Sequence, residues 1–249
     1  MRRTVLGLYT YFEFFLLAVL FVPVLGTVAV LFRREPGRRT RGRWMRRFGR
    51  LTSSLTPIWR FESDGPTPEK IMERPYVVVS NHESTADPFL LSWLPWDMRW
   101  VAKEELFKLP LIGWLLRFGG DMPVRRGDKG SVEELMKACK ETLAAGVPVM
   151  LFPEGTRSPD GKLLPFKDGA FQLAIETGVP IVPVALSGTR SCRPKGSLWF
   201  GEARARVRAL APISTEGLTL ADVATLRERV RAVIEQAVQE LRQELHPPV

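Results

Sequence analysis

Six short β-rich runs, at residues 76–80, 98–102, 122–125, 147–152, 181–186 and 205–210, punctuate the chain beyond Phe61. Helical stretches fill the intervals near residues 85–94, 104–118, 131–145 and 166–177. Parallel neighbours need a crossover of roughly a dozen residues, usually a helix, whereas antiparallel neighbours need only a tight turn. The alternation therefore predicts an α/β sandwich: a mixed, largely parallel sheet flanked by helices. Leu220, Val223, Leu226, Val230, Val233, Ala237 and Leu241 recur at helical spacing and predict a closing amphipathic helix. No internal repeat or low-complexity linker interrupts the pattern.

The first sixty residues differ in kind. Residues 14–32 are nineteen positions without a charge, long enough to cross a bilayer as a helix. Glu13 would be costly at depth, and Pro23 and Gly26 invite a kink or a re-entrant turn. Arg2-Arg3 before an apolar run has the form of a secretory signal, but no small-residue cleavage site stands out. Nine arginines between residues 33 and 50 oppose translocation of that side. A retained segment is expected, inserted shallowly or as a hairpin in preference to a straight span. Residues 1–50 hold eleven arginines against two acids, which accounts for the whole net charge of +9. Trp44, Phe48, Leu51, Leu55 and Ile58 share a helical face flanked by Arg43, Arg46, Arg47 and Arg50. That pattern suits the headgroup layer of an anionic membrane, the alternative being a helix packed on the body. The adjoining apolar run directs these arginines to a membrane and not to nucleic acid. The expected division is an anchor over 1–61 and a globular domain over 62–249.

Chemistry-bearing residues cluster after the apolar runs. His82 follows the first, and Asp87 lies five positions on. Five residues of continuous helix turn about 500°, so the pair meets only if His82 lies in the turn and Asp87 in the first helical turn. An aspartate on one imidazole nitrogen fixes the tautomer and leaves the other as a base. Taken alone, such a pair also fits a capping histidine beside a helix acid. Pro153-Glu154-Gly155-Thr156-Arg157 closes another strand, where Gly155 permits positive φ and Arg157 offers a planar fork to a phosphate. Arg125 and Arg126, before Gly127, and Lys103 are further cations at strand ends. Two isolated cysteines and two histidines give neither a disulfide framework nor a zinc site, and a reducing compartment fits them.

Four blocks in this order resemble the glycerolipid acyltransferase family, of the 1-acylglycerol-3-phosphate acyltransferase type. They are Asn81-His82 with Asp87, the segment 123–127, Phe152-Pro153-Glu154-Gly155-Thr156-Arg157-Ser158, and the proline-bearing run 179–184. The second block departs from the family's pattern at Arg125. The resemblance implies transfer of an acyl group from a coenzyme A or acyl carrier protein thioester to the sn-2 hydroxyl of lysophosphatidic acid. Neither cofactor nor metal is then expected. His82 would be the base and Asp87 its orienter. Arg157, with Arg125 or Arg126, would hold the phosphate. Lys103, Gly155 and Thr156 would line the acceptor site, and Glu154 would bind a glycerol hydroxyl or brace Arg157. The expected place is the cytoplasmic side of the cell inner membrane. Two other functions fit less of the pattern: a sibling enzyme accepting glycerol 3-phosphate or a lyso-aminolipid, and a non-catalytic basic membrane-binding protein.

Overall fold

The computed structural model describes residues 2–246 except Met72, residues 194–196 and Leu198. Seven strands among them form one sheet: β1 (Trp59–Asp64), β2 (Val77–Ser80), β3 (Arg99–Lys103), β4 (Met122–Val124), β5 (Val149–Leu151), β6 (Ile181–Ser187) and β7 (Ala203–Ala209). The order is β1-β7-β6-β2-β5-β3-β4. β2 pairs in parallel with β5 and β6, β3 with β5 and β4, and β1 with β7. The β6–β7 pair is antiparallel. The sheet is thus mixed and largely parallel.

Among the described residues seven α-helices surround it: α1 (Arg2–Leu31), α2 (Arg39–Leu55), α3 (Asp87–Leu91), α4 (Ile112–Gly119), α5 (Lys129–Ala144), α6 (Gly169–Thr177) and α7 (Val223–Leu245). Val77 and Val79 of β2 face a core shared with Leu143 of α5, Phe171 of α6 and Ile234 of α7. Val78 faces the opposite core, with Leu90 of α3, Trp96 and Met98. Both faces are covered, which is why the central strands read as unbroken apolar runs. On α7, Ile234 is buried and Val233 lies outside, one position from the expected stripe.

Three local expectations change. β1 was not anticipated. α2 stops at Leu55 before Pro57, and Ile58 and Trp59 turn into the sheet, so a boundary at residue 61 falls inside β1. The stretch 104–118 is not one helix. A 3₁₀ turn over Glu104–Lys108 ends before Pro110, Leu111 takes a φ of 60°, and α4 then begins.

The third change concerns the N-terminus. α1 runs unbroken through Pro23, so there is no hairpin. Gly26 stays helical and faces the Phe118 ring of α4, with space for an ordinary van der Waals contact. The helix has two faces. Thr10, Leu17, Ala18, Leu25 and Val28 are buried against the body, while Val5, Leu8, Phe12, Phe15, Val19 and Val30 are exposed. Glu13 belongs to the inner face, where Thr56 Oγ1 donates to its carboxylate at 3.1 Å. Burial there pushes its carboxyl up to about 7, against the smaller opposing effect of the Thr56 hydrogen bond, so the side chain is held in the protein and not in lipid.

α2 gives part of its predicted apolar face to the body, with Phe48 and Ile58 buried, while Leu51 and Leu55 stay exposed. Phe48 packs with Leu17, Leu25 and Leu115. Arg43 pairs with Asp97 at 3.0 Å, and Arg46 donates to the carbonyls of Leu94 and Trp96. These arginines satisfy loop carbonyls and a buried acid, so the helix is a packed element of the body. Arg47 and Arg50 remain exposed, stacked over Trp44 and Trp93.

Candidate active site

Because β2 and β5 are parallel neighbours, their C-terminal ends emerge side by side. That is where open α/β sheets gather their ligand sites. The β2 end carries Asn81 and His82, and the β5 end carries the segment from Phe152 to Ser158. Two main-chain contacts join them: the His82 N–H donates to Glu154 Oε1 at 2.8 Å, and the Ser158 N–H donates to the His82 carbonyl at 2.9 Å.

His82 and Asp87 meet as expected. His82 sits in the turn, and Asp87 is the first residue of α3, followed by Pro88 in the position where a missing N–H costs nothing. His82 Nδ1 lies 2.7 Å from Asp87 Oδ2. Asp87 is fully buried. It also accepts from the Glu83 N–H at 2.8 Å, the Ser84 N–H at 3.1 Å and Thr189 Oγ1 at 2.5 Å. Donors on both oxygens fix the plane of the carboxylate. With Nδ1 donating to that carboxylate, Nε2 carries the lone pair. The imidazole stacks on Phe152 with ring centroids 4.1 Å apart, and its side chain is 13% exposed, so its edge is open to contact from outside.

Asn81, quoted only as a motif letter, pins the turn. Its amide donates to the Leu186 carbonyl and accepts from the Leu186 N–H, both at 2.9 Å. Thr189, just past β6, was missed altogether. No spacing rule could find it, since it is 102 residues from the Asp87 it bonds. Glu83 is buried beside Asp87, and that burial with the neighbouring charge pushes its carboxyl up to about 7. The Gly188 N–H at 3.2 Å and Arg242 of α7 at 3.4 Å act in the other direction.

Glu154, expected at a glycerol hydroxyl or Arg157, turns its carboxylate to the main chain. Its oxygens accept from the main-chain N–H groups of His82 and Leu164, at 2.8 and 3.0 Å. It is buried, and that burial raises its carboxyl above the usual range. The residue is a tether between the two loops. Gly155 adopts a φ of 67°, the left-handed turn expected of it, which leaves Thr156 and Arg157 exposed beyond. A Cβ at Gly155 would lie 3.0 Å from Lys167 Nζ, so a second cation stands at this turn. Lys167 carried no motif signal.

The other cations are placed differently. Arg125 follows β4, three strands from β2, and adjacent strands are roughly 4.8 Å apart. Its guanidinium is committed to Glu104 at 2.6 Å and Asp128 at 3.0 Å. Those pairs occupy the fork at an exposed surface, where ion pairs contribute little. Arg126 is exposed on the same outer turn. Lys103, at the end of β3, pairs with Glu105 at 3.0 Å. Cys139 and Cys192 are buried, and burial pushes both thiols up, away from nucleophilic use.

Residues 62–187 match the family model described as Acyltransferase. Over 144 residues the chain is 40% identical to the chloroplastic 1-acyl-sn-glycerol-3-phosphate acyltransferase BAT2 of Brassica napus, covering 58% of this chain and 42% of that one. Over 160 residues it is 40% identical to the human 1-acyl-sn-glycerol-3-phosphate acyltransferase alpha, covering 64% and 56%. The chain thus spans about half the length of these curated relatives. The crystal structure of the 1-acyl-sn-glycerophosphate (LPA) acyltransferase PlsC of Thermotoga maritima superposes with a TM-score of 0.75 at 28% identity, covering 96% of this chain and 98% of that one.

Proposed function

The chain belongs to the acyltransferase family, and from that premise we propose that it moves a fatty acyl group from a thioester to the sn-2 hydroxyl of 1-acylglycerol 3-phosphate, giving phosphatidic acid. The observation that carries this is the 2.7 Å His82–Asp87 pair, tied through Glu154 to the loop that bears Arg157. The names of the relatives support the same acceptor.

Each residue then has a task. The acceptor's phosphate rests on Arg157 and Lys167, which directs its free hydroxyl to the His82 ring. His82 Nε2 takes the hydroxyl proton as the oxygen attacks the thioester carbonyl. Asp87 compensates the imidazolium that forms. When the tetrahedral intermediate collapses, the carbon–sulfur bond breaks and the imidazolium returns the proton to the departing thiolate. A general base of this kind contributes roughly 10²–10⁴-fold. Both cysteines are buried with raised thiols, so transfer is direct, without an acyl-enzyme.

The enzyme works at a membrane surface. α1 packs along the body from Gly7 to Val28, so crossing a bilayer would drag the catalytic body into the lipid. Its exposed apolar strip instead enters one leaflet, with the helix lying flat. We place the body on the cytoplasmic side of the cell inner membrane, where the arginine-rich side of the segment stays. The donor is acyl-coenzyme A or acyl-acyl carrier protein.

An acceptor panel tests the function. Purified protein in detergent is given each donor with 1-acylglycerol 3-phosphate, glycerol 3-phosphate or a lyso-aminolipid, and acylated product is measured. The expected result is a higher kcat/KM for 1-acylglycerol 3-phosphate than for the other two. A preference for glycerol 3-phosphate would reassign the acceptor, and thiol release independent of any acceptor would overturn the transfer.

A further inference from the structure

The segment joining β3 to α4 carries an unusual surface. Leu106, Leu109, Ile112 and Trp114 are each between 39% and 49% exposed, within nine residues. A soluble surface scatters such side chains singly, whereas a run of them marks an interaction site. The backbone presents them deliberately. The 3₁₀ turn, Pro110 and the positive φ of Leu111 break what would otherwise be one helix. Phe107, Leu115 and Leu116 point inward as anchors, leaving the others outside.

Three observations say what covers this patch. α4 packs on α1, with Phe118 against Gly26 and Leu115 in one cluster with Leu17 and Leu25. The patch is therefore carried by an element packed directly on α1. Lys108 and Arg117, both exposed, border it and suit an anionic headgroup layer. The patch also follows β3, whose parallel pairing with β5 puts its C-terminal end on the same edge of the sheet as His82.

We propose that residues 106–114 form a second membrane-inserted lobe, which with α1 seats the mouth of the site against the lipid surface. This rests on the membrane role of α1 given above. The acceptor, whose acyl chain resides in the leaflet, then reaches the site from the lipid surface without crossing water.

Depth measurement by spin label tests it. Both native cysteines are fully buried, so labels go to introduced ones. Full-length variants Leu109→Cys, Trp114→Cys, Phe12→Cys and Glu133→Cys are placed in vesicles of phosphatidylethanolamine and phosphatidylglycerol. Phe12 lies on the exposed strip of α1, and Glu133 lies on α5, on the other side of the sheet. Oxygen should reach the labels at 109, 114 and 12 in preference to a water-soluble nickel reagent, with the reverse at 133. If 12 is lipid-immersed while 109 and 114 behave like 133, the second lobe is refuted and the α1 anchor stands. If 12 also behaves like 133, both fall. Spin–spin broadening at 109 and 114 would assign the patch to a second copy of the chain and overturn the proposal. Leu109→Ser/Trp114→Ser should lower turnover of vesicle-borne acceptor by about tenfold, through lost interfacial burial, and leave turnover of dispersed short-chain acceptor unchanged. Equal loss on both substrates would contradict the proposal.

Discussion

The main-chain N–H of His82 donates to the carboxylate of Glu154 at 2.8 Å across 72 residues of sequence. The base and the anion-binding loop are therefore one rigid unit. A shift of either loop displaces the other, and displacements near 1 Å at a reacting group are costly. Glu154→Gln should lower kcat more than it raises the KM of either substrate, because the tether positions the base without touching substrate. Steady-state kinetics with both substrates varied will show the split, and a pure KM effect would place Glu154 in the acceptor pocket instead.

His82→Ala should reduce transfer by about 10²-fold or more with the fold intact, since a general base usually contributes at least that much. Asp87→Asn should be nearly as inactive and also less stable, by about 1–3 kcal/mol, because the new amide confronts N–H donors that a carboxylate satisfied. Denaturant unfolding separates the two effects. A His82→Ala variant that retains a tenth of the wild-type rate would remove the base assignment.

Arg157→Ala should raise the KM of the phosphate-bearing acceptor by about ten- to a hundredfold and leave that of the thioester nearly unchanged. Arg157→Lys should recover part of the loss, because lysine lacks the planar fork. Arg125→Ala should leave the acceptor KM as it was, since Glu104 and Asp128 already occupy that guanidinium. An acceptor KM that responds to Arg125 and not to Arg157 would invert this assignment.

Stability should fall as pH rises through the weakly acidic range. Glu83 and Asp121, both buried, are pushed up to about 7, mainly by burial. Unfolded carboxyls titrate near ~4. Between those values the native state binds more protons than the unfolded state, so stability declines with increasing pH. Glu83→Gln should flatten part of that decline, leaving the shares due to Asp121 and to Glu13, which burial also pushes up to about 7. Melting temperatures from pH 5 to 8 for both proteins measure it, and parallel profiles would exclude Glu83.

Removing residues 1–55 should not yield a soluble, active body. The cut would bare Leu115, Phe118 and Trp93, strip Asp97 of Arg43, and leave the carbonyls of Leu94 and Trp96 without Arg46. Aggregation or a collapsed melting transition in detergent is the expected result. A folded, monomeric truncation would show that the anchor is separable.

Local rules went far because several features are written within a few residues of each other. Central strands buried on both faces must be apolar runs, parallel pairing demands helices between them, and the Asn81-His82 and Phe152-to-Ser158 words lie directly after two such runs. The His82–Asp87 pairing needs only a turn and the first residue of α3, so spacing and helix geometry were enough to anticipate it. What the tertiary structure decided are the long-range partners. Thr189 completes the ring of donors around Asp87 from beyond β6, Glu154 serves as a tether because its burial directs both oxygens to main-chain N–H groups, and Lys167 joins the anion loop from the stretch leading into α6. Arg125 looked available because a solvated guanidinium and one bound by Glu104 and Asp128 read identically along a chain. The same limit applied to the first sixty residues. Periodicity defines a helix with two faces, but whether lipid or protein covers each face depends on which neighbours the fold brings. Here the body takes the Thr10–Leu17–Leu25 face of α1 and the Arg43–Arg46 face of α2, and leaves uncovered the outer strip of α1 and, on α2, Arg47, Arg50, Leu51 and Leu55.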